Sequence, residues 1–375
     1  LKSWPEGGPN LLWRIDEIGG GYSNPAVVGD RLFFLTNVGL ENEYVRALSV
    51  KDGTTIWSYR VGKVGVPNQR PNYPGSRSMP TVDGDLLYAI GSDGILVCLE
   101  IRTGKLRWQI SFQEAYGSKP PRWAWADSPL IDGDKLICSP GGSDATVLAV
   151  NKLTGEEIWK SALPEADLAG YGSAVVADIS GVRQYVVFLG KGVVGVDAAT
   201  GKLLWRYART AEGSPANILT PVIQGDLVYT GTNRGGGALV RVQLDKDPVV
   251  EEVYHSPKLP LHVGGAVLHE GHLYGTTRSA LMSVAFETGE IAWTDRSVGP
   301  ATVGFADGRL YVVGDEGEIA LVEPTPDAYK EISRFTPPGR EEGAVSWTYP
   351  VIANGRMYIR NVGTMWCYDV RADLD

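Results

Sequence analysis

Two stretches of the sequence carry most of the side chains that could bind a ligand. They are VGKVGVPNQRPNYPGSRS (61–78) and SFQEAYGSKPPRWAWADS (111–128). Arginine presents a planar fork of donors that suits a carboxylate or a phosphate, and aromatic side chains offer a flat face for a ring. Such a set suits an anionic planar cofactor, a sugar or an extended peptide. The candidate binding residues in these stretches are Arg70, Tyr73, Arg77, Arg122, Trp123, Trp125 and Asp127.

Later segments add further candidate binding residues. Several arginines that converge on one place would imply an anionic ligand, although solvation of the surface explains each arginine separately. In the same way, the two long stretches could simply pack on each other, so binding and packing stay open as alternatives. The added candidates are Asn233 and Arg234 in GTNRGGG, His262, Arg278 in TTRS and Trp347 in EEGAVSWTY, which also contains Glu341 and Glu342.

A metal site is not expected, although all four histidines fall within 18 residues. His262 belongs to a link between repeats. His269 and His272 flank a hairpin turn, which lies at the opposite face of the ring from that link. The histidines therefore cannot all ligate one ion. The cysteines at 98, 138 and 367 sit in apolar runs without a CxxC spacing, and we expect them to be buried small hydrophobic residues. No GxSxG nucleophile motif occurs.

Composition narrows the class of partner. The net charge is −9, with acidic and basic residues interspersed, whereas a nucleic-acid-binding protein usually presents a basic face. No stretch of about 18 apolar residues is present, so no transmembrane helix is predicted. The chain opens at Leu1 without an apolar leader, as a processed secreted protein would, and we expect a periplasmic or secreted location with the leader removed.

The strands that must position these residues are encoded by a repeated sequence phrase. TGKLRW (103–108) returns as TGKLLW (200–205), and looser copies are DGTTIW (52–57), TGEEIW (154–159) and TGEIAW (288–293). Ahead of each copy, two apolar strands flank a glycine turn, and a third strand follows. Four antiparallel strands per unit, repeated every 46 residues or so, describe a propeller blade. The sequence therefore predicts an all-β, eight-bladed β-propeller of four-stranded antiparallel blades.

The aromatic residue of each repeat is expected to pack one blade against its neighbour, positioned by the glycine turn ahead of it. Residues 11–16 form an aromatic-bearing strand with no blade before it, and the last blade lacks a fourth strand. We therefore expect 11–16 to complete the last blade and close the ring, which makes 1–375 a single domain. The structural aromatics are Trp13, Trp57, Trp108, Trp159, Trp205, Tyr254, Trp293 and Phe335.

Position within a blade also predicts where ligands bind. One face of the ring carries minimal glycine turns. The other, the loop-rich face, receives the links between blades and the loops between second and third strands. Binding residues concentrate on variable loops held by a rigid scaffold. The loop-rich face is therefore the predicted binding face.

The TGxxxW phrase, copied along essentially the whole chain, resembles the repeat of pyrroloquinoline-quinone (PQQ) propellers. The family that the sequence resembles has two branches. One contains secreted quinoprotein dehydrogenases that hold PQQ and Ca²⁺ over the central channel. The other contains scaffolds similar to the BamB outer-membrane assembly lipoproteins, which have no cofactor. This chain has no Cys-Cys pair, its loops are mostly short, and no Glu–Asn–Asp calcium set maps onto it.

The resemblance therefore favours a non-catalytic, extracytoplasmic binding or assembly scaffold without a cofactor. It would bind a protein partner or a small anionic or sugar ligand through the loop-rich face, as a monomer and without nucleic acid. The alternative is a compact PQQ- and calcium-dependent dehydrogenase that oxidises an alcohol or a sugar.

Overall fold

Short antiparallel strands follow one another along the chain in the computed structural model. It describes residues 3–71, 73–164, 167–245, 248–260, 265–340 and 343–371. The strands of these residues form eight four-stranded sheets, and helix is almost absent. The predicted all-β, eight-bladed propeller is confirmed. No helix of the described residues is long and apolar enough to cross a membrane.

The first strand, β1 (Asn10–Ile15), belongs to the last blade, and blades 1 to 4 follow it in chain order. Blade 1 comprises β2 (Ala26–Val28), β3 (Arg31–Val38), β4 (Asn42–Ser49) and β5 (Thr55–Gly62). Blade 2 comprises β6 (Thr81–Asp83), β7 (Leu86–Ile90), β8 (Ile95–Glu100) and β9 (Leu106–Ser111). After helix α1 (Phe112–Tyr116), blade 3 comprises β10 (Leu130–Asp132), β11 (Lys135–Cys138), β12 (Val147–Asn151) and β13 (Glu157–Ser161). Blade 4 comprises β14 (Val175–Ile179), β15 (Val182–Leu189), β16 (Gly192–Asp197) and β17 (Leu203–Tyr207).

Blades 5 to 8 repeat the pattern after one 3₁₀ turn (Arg209–Ala211). Blade 5 comprises β18 (Val222–Gln224), β19 (Leu227–Thr232), β20 (Gly236–Gln243) and β21 (Val249–Ser256). Blade 6 comprises β22 (Ala266–His269), β23 (His272–Thr276), β24 (Leu281–Ala285) and β25 (Ile291–Asp295). Blade 7 comprises β26 (Ala301–Ala306), β27 (Arg309–Gly314), β28 (Ile319–Val322) and β29 (Glu331–Phe335). Blade 8 comprises β30 (Val351–Ala353), β31 (Arg356–Asn361), β32 (Thr364–Asp369) and β1.

The first strands of the blades lie around the centre of the ring. Each occupies one edge of its sheet, and β6 contacts both β2 and β10 in the neighbouring blades. The strand order within a blade follows the chain, because each hairpin turns back directly on the strand before it. At 354–355 both turn residues have positive φ (+52° and +71°), as a type I′ hairpin turn requires. The Asn-Gly pair at this position supplies that geometry.

The hydrophobic core is divided among the contacts between blades. The described core forms eight apolar clusters, and each cluster combines side chains of two consecutive blades. In one of them, Phe33 and Val45 of blade 1 pack with Leu87 and Val97 of blade 2. The apolar face of each sheet is therefore buried only when its neighbours are present, as is usual in repeat architectures.

The repeat aromatics lie at these contacts between blades. Trp57 of blade 1 donates from Nε1 to the Ile101 carbonyl of blade 2 at 3.0 Å. Its ring lies against Gly104, where a Cβ would come within 2.6 Å of Trp57. The glycine turn that receives the tryptophan therefore belongs to the next blade, which corrects the expectation that the turn ahead positions it. Equivalent pairs are Trp13–Gly53, Trp108–Gly155, Trp159–Gly201, Tyr254–Gly289 and Phe335–Gly8.

Two of the repeat aromatics depart from this pairing. Trp205 donates from Nε1 to Gln184 Oε1, 2.5 Å away in its own blade. Trp293 donates to the Thr325 carbonyl of blade 7 at 2.8 Å and has no glycine against its ring in the described structure. The tryptophan position therefore tolerates different partners while the ring stays between two blades.

The N-terminal strand closes the ring. β1 pairs with β32 from Asn10 opposite Asp369 to Ile15 opposite Met365, so it supplies the missing fourth strand of blade 8. The predicted closure is confirmed, with the strand one residue earlier than the predicted 11–16. Arg360 on β31 adds to this closure, because it donates to the carbonyls of Ser23 and Leu35 in blade 1.

Substitution of Gly201 by alanine tests the packing of tryptophan on glycine. Gly201 has a φ of +71°, and its added Cβ would come within 2.4 Å of the Trp159 ring. We expect the free energy of unfolding in urea to fall by about 1–3 kcal/mol from overpacking, in addition to the left-handed backbone strain. Gly181→Ala is the control, because its φ is +74° and nothing lies within 4 Å of the added Cβ. Equal losses in the two variants would contradict the packing role.

Candidate functional site

A cavity of about 780 Å³ opens at the centre of the loop-rich face. It is lined by residues from the links between blades and from the loops between second and third strands, such as Tyr73, Trp123 and Arg278. Its volume falls in the range of sites for small molecules. The predicted binding face therefore contains a cavity large enough for a ligand.

Among the described residues, one repeat position lines this cavity in six blades. This position lies two residues before the first strand of each blade. A hydrogen bond often joins it to the same position in the next blade. The Met79 amide donates to Ser128 Oγ at 3.0 Å, and the Ser128 amide donates to Ser173 Oγ at 2.9 Å. These contacts place a belt of polar groups around the channel. The lining residues at this position are Asn24, Met79, Ser128, Ser173, Thr220 and Tyr349.

Aromatic rings form much of the wall above this belt. Trp347 contacts Tyr73 edge-on, with ring centroids 4.7 Å apart, and Tyr22 in a tilted arrangement at 5.3 Å. Trp123 and Tyr171 form a separate pair with centroids 6.1 Å apart, and the Tyr171 hydroxyl accepts from the Trp123 amide. All five rings line the cavity. A ligand with flat or weakly polar faces could pack against these rings.

The described lining contains two cations and one carboxylate. Arg77 is committed to the fold, since its guanidinium donates to Gln69 Oε1 at 3.0 Å and to the carbonyls of Tyr73 and Gly75. Asp315 keeps one buried oxygen, Oδ1, without a hydrogen-bond partner among the described residues. Burial raises the pKa of Asp315 to about 6. This carboxylate can therefore accept hydrogen bonds from a ligand at neutral pH.

The structure brings half of the candidate binding residues together at the cavity. Arg234 lies close by, in a small pocket that shares four lining residues with the cavity. Arg70 and Arg122 are exposed and lie outside the lining. His262, like Glu341 and Glu342, lies outside the described residues. The candidates that line the cavity are Tyr73, Arg77, Trp123, Asn233, Arg278 and Trp347.

Trp125 and Asp127 are removed from the candidate site by their burial. Trp125 has no exposed surface, packs against Gly94, and donates from Nε1 to the Pro140 carbonyl at 3.0 Å. It therefore joins blades 2 and 3. Asp127 accepts from the Ser139 amide at 3.0 Å, and burial raises its pKa to about 7. Part of the second long stretch (111–128) therefore belongs to the hydrophobic core, in line with the alternative that these stretches pack and do not bind a ligand.

Several cavity residues escaped sequence analysis. Tyr22, Tyr171 and Asp315 lie in segments that carry no motif, so no sequence signal separates them from other loop residues. The belt positions did carry a signal. In NP, MP, SP, TP and YP at the start of the repeat phrase, the residue before proline is the one that lines the cavity.

The donor chemistry of the described cavity lining does not fit a calcium-bound quinone. Ca²⁺ takes six to eight oxygen ligands, several of them carboxylates. Among the described lining residues Asp315 is the one carboxylate, and no group of three His, Cys, Asp or Glu residues in the described chain could hold a metal ion. The buried cysteines at 98, 138 and 367 are free thiols. We therefore derive no step through PQQ and calcium.

A family model described as outer membrane protein assembly factor BamB matches residues 8–120 and 41–295. These matches cover more than half of the chain. The chain belongs to the PQQ-repeat propeller family. Its repeat phrase is thus a family feature, and its cavity lies on the loop-rich face of a PQQ-repeat propeller.

Relatives of this PQQ-repeat propeller include both dehydrogenases and assembly factors. It is 26% identical over 245 residues to the polyvinylalcohol dehydrogenase of Sphingopyxis sp. (strain 113P3), covering 59% of this chain and 34% of that protein. It is 24% identical over 154 residues to BamB of Salmonella typhimurium, covering 40% of this chain and 36% of that protein. The chain thus spans about a third of the length of these relatives.

Solved structures show the same fold in both groups. BamB from Moraxella catarrhalis superposes with a TM-score of 0.68 at 16% identity, covering 97% of this chain and 98% of that one. Quinohemoprotein alcohol dehydrogenase from Comamonas testosteroni gives a TM-score of 0.67 at 14% identity, covering 97% of this chain and 77% of that one. At these identities the likeness concerns the fold alone, and function depends on the site.

Proposed function

We propose that this PQQ-repeat propeller is a non-catalytic binding protein that holds a ligand in the central cavity of its loop-rich face. The observation that carries the proposal is the cavity itself. It combines about 780 Å³ of space, five aromatic rings and a belt of mostly polar side chains, but a single described carboxylate. Such a lining offers contact surface and hydrogen-bond partners, which is what binding requires.

An extracytoplasmic location is part of this proposal. Its support is the family description, which names an outer membrane protein assembly factor. The assignment of 1–375 to one domain also stays a prediction.

A PQQ-dependent alcohol or sugar dehydrogenase is the second candidate function. Its support is the likeness to polyvinylalcohol dehydrogenase in sequence and to quinohemoprotein alcohol dehydrogenase in fold. The aromatic wall and Arg278 suit an anionic planar group. The single carboxylate among the described lining residues is the reason that we place this candidate second.

Substitution of Trp347 by alanine tests the proposed site. We would first screen sugars, organic acids, peptides and PQQ with Ca²⁺ by thermal shift, because a bound ligand raises the melting temperature. We expect Trp347→Ala to weaken binding of the selected ligand at least tenfold, since Trp347 contributes the ring that contacts both Tyr22 and Tyr73.

Phe305→Ala serves as the control, because Phe305 is 40% exposed, lies on the other face and packs on His269 with ring centroids 4.5 Å apart. Binding that is unchanged in Trp347→Ala would place the site elsewhere. Saturable binding of PQQ that requires Ca²⁺ would favour the dehydrogenase.

A further inference from the structure

A second, smaller pocket extends the cavity on the side of blades 5 and 6. It has a volume of about 110 Å³ and shares Ala216, Ile218, Asn233 and Arg278 with the cavity. Arg234 completes its charged side. A space of this size admits a small group such as a carboxylate or a sulfate, because one water needs only about 10–15 Å³ of such space. We refer to this pocket as the arginine pocket.

The two arginines of this pocket differ from Arg77. Arg77 is half-buried and its guanidinium donates to groups of its own link. Within the described residues, no ion pair or side-chain hydrogen bond engages Arg234 or Arg278, and both are exposed. Their donors are therefore available to a ligand. Arginine binds a carboxylate or a sulfate through two parallel hydrogen bonds, which makes these anionic groups its preferred partners.

The body of the cavity offers a different chemistry. Ser128, Ser173 and Thr220 present hydroxyl groups, and Asn24 presents an amide. Asp315 adds the unpartnered oxygen Oδ1 as an acceptor. Hydroxyls act as donors and acceptors, whereas a carboxylate oxygen only accepts. A ligand that fills this body must therefore carry hydrogen-bond donors, and the aromatic wall requires that it also carry an apolar face.

These observations separate the ligand classes. A fully anionic planar molecule would place negative charge beside Asp315, which opposes binding there. A sugar ring has hydroxyl donors on its rim and C–H groups on its faces, so it matches both the belt and the aromatic wall. The arginine pocket adds a requirement for one negative group at the end of such a ligand.

We propose that the cavity binds an acidic saccharide, with a sugar ring against the aromatic wall and a carboxylate or sulfate in the arginine pocket. This inference rests on the proposed function, because it names the ligand class of the same cavity. The acidic group pairs with Arg234 and Arg278, and sugar hydroxyls donate to Asp315 and exchange hydrogen bonds with the polar belt. Because the arginines are exposed, salt weakens the binding.

The experiment is a glycan array that carries uronate, sulfated and neutral oligosaccharides, followed by calorimetry with the bound glycan and its neutral counterpart. We expect binding to be confined to acidic members. Arg278→Gln and Arg234→Gln should each weaken it about tenfold or more, since charge-assisted hydrogen bonds are lost. Arg102→Gln is the control, because Arg102 is an exposed arginine on the opposite face, next to the turn that receives Trp57.

Equal binding of acidic and neutral glycans, or full affinity in Arg278→Gln and Arg234→Gln, would overturn the acidic-saccharide assignment and leave a cavity that binds ligands. Binding of acidic peptides or of PQQ in place of glycans would overturn the saccharide class. These outcomes are separate from failure of the proposed function, which Trp347→Ala reports. If that variant binds every array hit as the parent protein does, the cavity is not the binding site.

Discussion

Substitution of Arg360 by leucine is expected to lower the free energy of unfolding by about 3–5 kcal/mol. Arg360 lies on β31 of blade 8 and is 1% exposed. Its guanidinium donates to the carbonyls of Ser23 and Leu35 at 2.9 and 2.8 Å and to the Gly20 carbonyl at 2.8 Å. It therefore holds the link into blade 1 against blade 8, at the junction where the ring closes.

This arginine is buried without a carboxylate partner among the described residues. Its positive charge is balanced by carbonyl dipoles and by the ring of Phe34, whose centroid is 5.1 Å from Cζ. Burial lowers the pKa of Arg360 to about 9, so the guanidinium stays charged at neutral pH. Leucine would relieve the cost of burying the charge, but it would remove the guanidinium donor from the buried carbonyls of Ser23 and Leu35, which costs more.

Urea denaturation checks this prediction. Arg309→Leu is the control, because the Arg309 guanidinium donates to the carbonyl of the adjacent Gly308 and, among the described residues, makes no hydrogen bond to another blade. Arg360→Lys should recover part of the loss, since an ammonium group retains three donors. An Arg360→Leu protein as stable as Arg309→Leu would show that the pairing of β1 with β32 closes the ring unaided.

Substitution of Glu43 by glutamine is expected to stabilise the protein by about 3 kcal/mol at pH 8 and to have little effect at pH 4. Glu43 is 1% exposed and has no basic partner within ion-pair distance among the described residues. Its carboxylate accepts from the Ser92 amide and hydroxyl at 2.9 and 2.8 Å. The same hydroxyl accepts from the Gly65 amide, so this chain of hydrogen bonds anchors the first long link.

Burial raises the pKa of Glu43 from 4.5 to about 7. Between these two values the folded protein retains a proton that the unfolded chain releases, so stability falls as the pH rises through this window. A difference of about 2.5 pH units at 1.36 kcal/mol per unit gives the expected 3 kcal/mol. Glutamine is neutral throughout and keeps one oxygen for the Ser92 donors, so the variant should lack this contribution.

The check is urea denaturation of both proteins at several pH values from 4 to 8. Glu41→Gln is a suitable control, because Glu41 is an exposed carboxylate two residues away. Curves for the parent protein and Glu43→Gln that run parallel across this range would contradict the raised pKa of Glu43.

The repeat itself was predictable because its physical cause is local. A glycine turn followed by an alternating strand specifies a hairpin, and copying that unit eight times leaves a ring as the arrangement that buries every apolar face. The spare aromatic strand at the N-terminus and the missing strand at the C-terminus specify how the ring closes. These inferences depend on neighbours in sequence, and the structure confirms them.

The partner of each repeat tryptophan was decided by the tertiary structure. Trp57 and the Thr-Gly turn of its own repeat are adjacent in sequence, but Trp57 packs on Gly104 of the next blade. The sequence shows both the tryptophan and the glycine turn, but it cannot show that they pair between consecutive repeats, because that depends on how far one blade is rotated against the next.

The identity of the residues that line the cavity depended on tertiary structure even more strongly. Trp123 and Trp125 have the same residue type and lie two positions apart, yet one lines the cavity and the other is completely buried. Links between blades lack the periodicity that assigns side chains to a face, so sequence alone could not separate them. Sequence determined the blades and their closure, whereas the three-dimensional path of the links decided which arginines and aromatics meet at the channel.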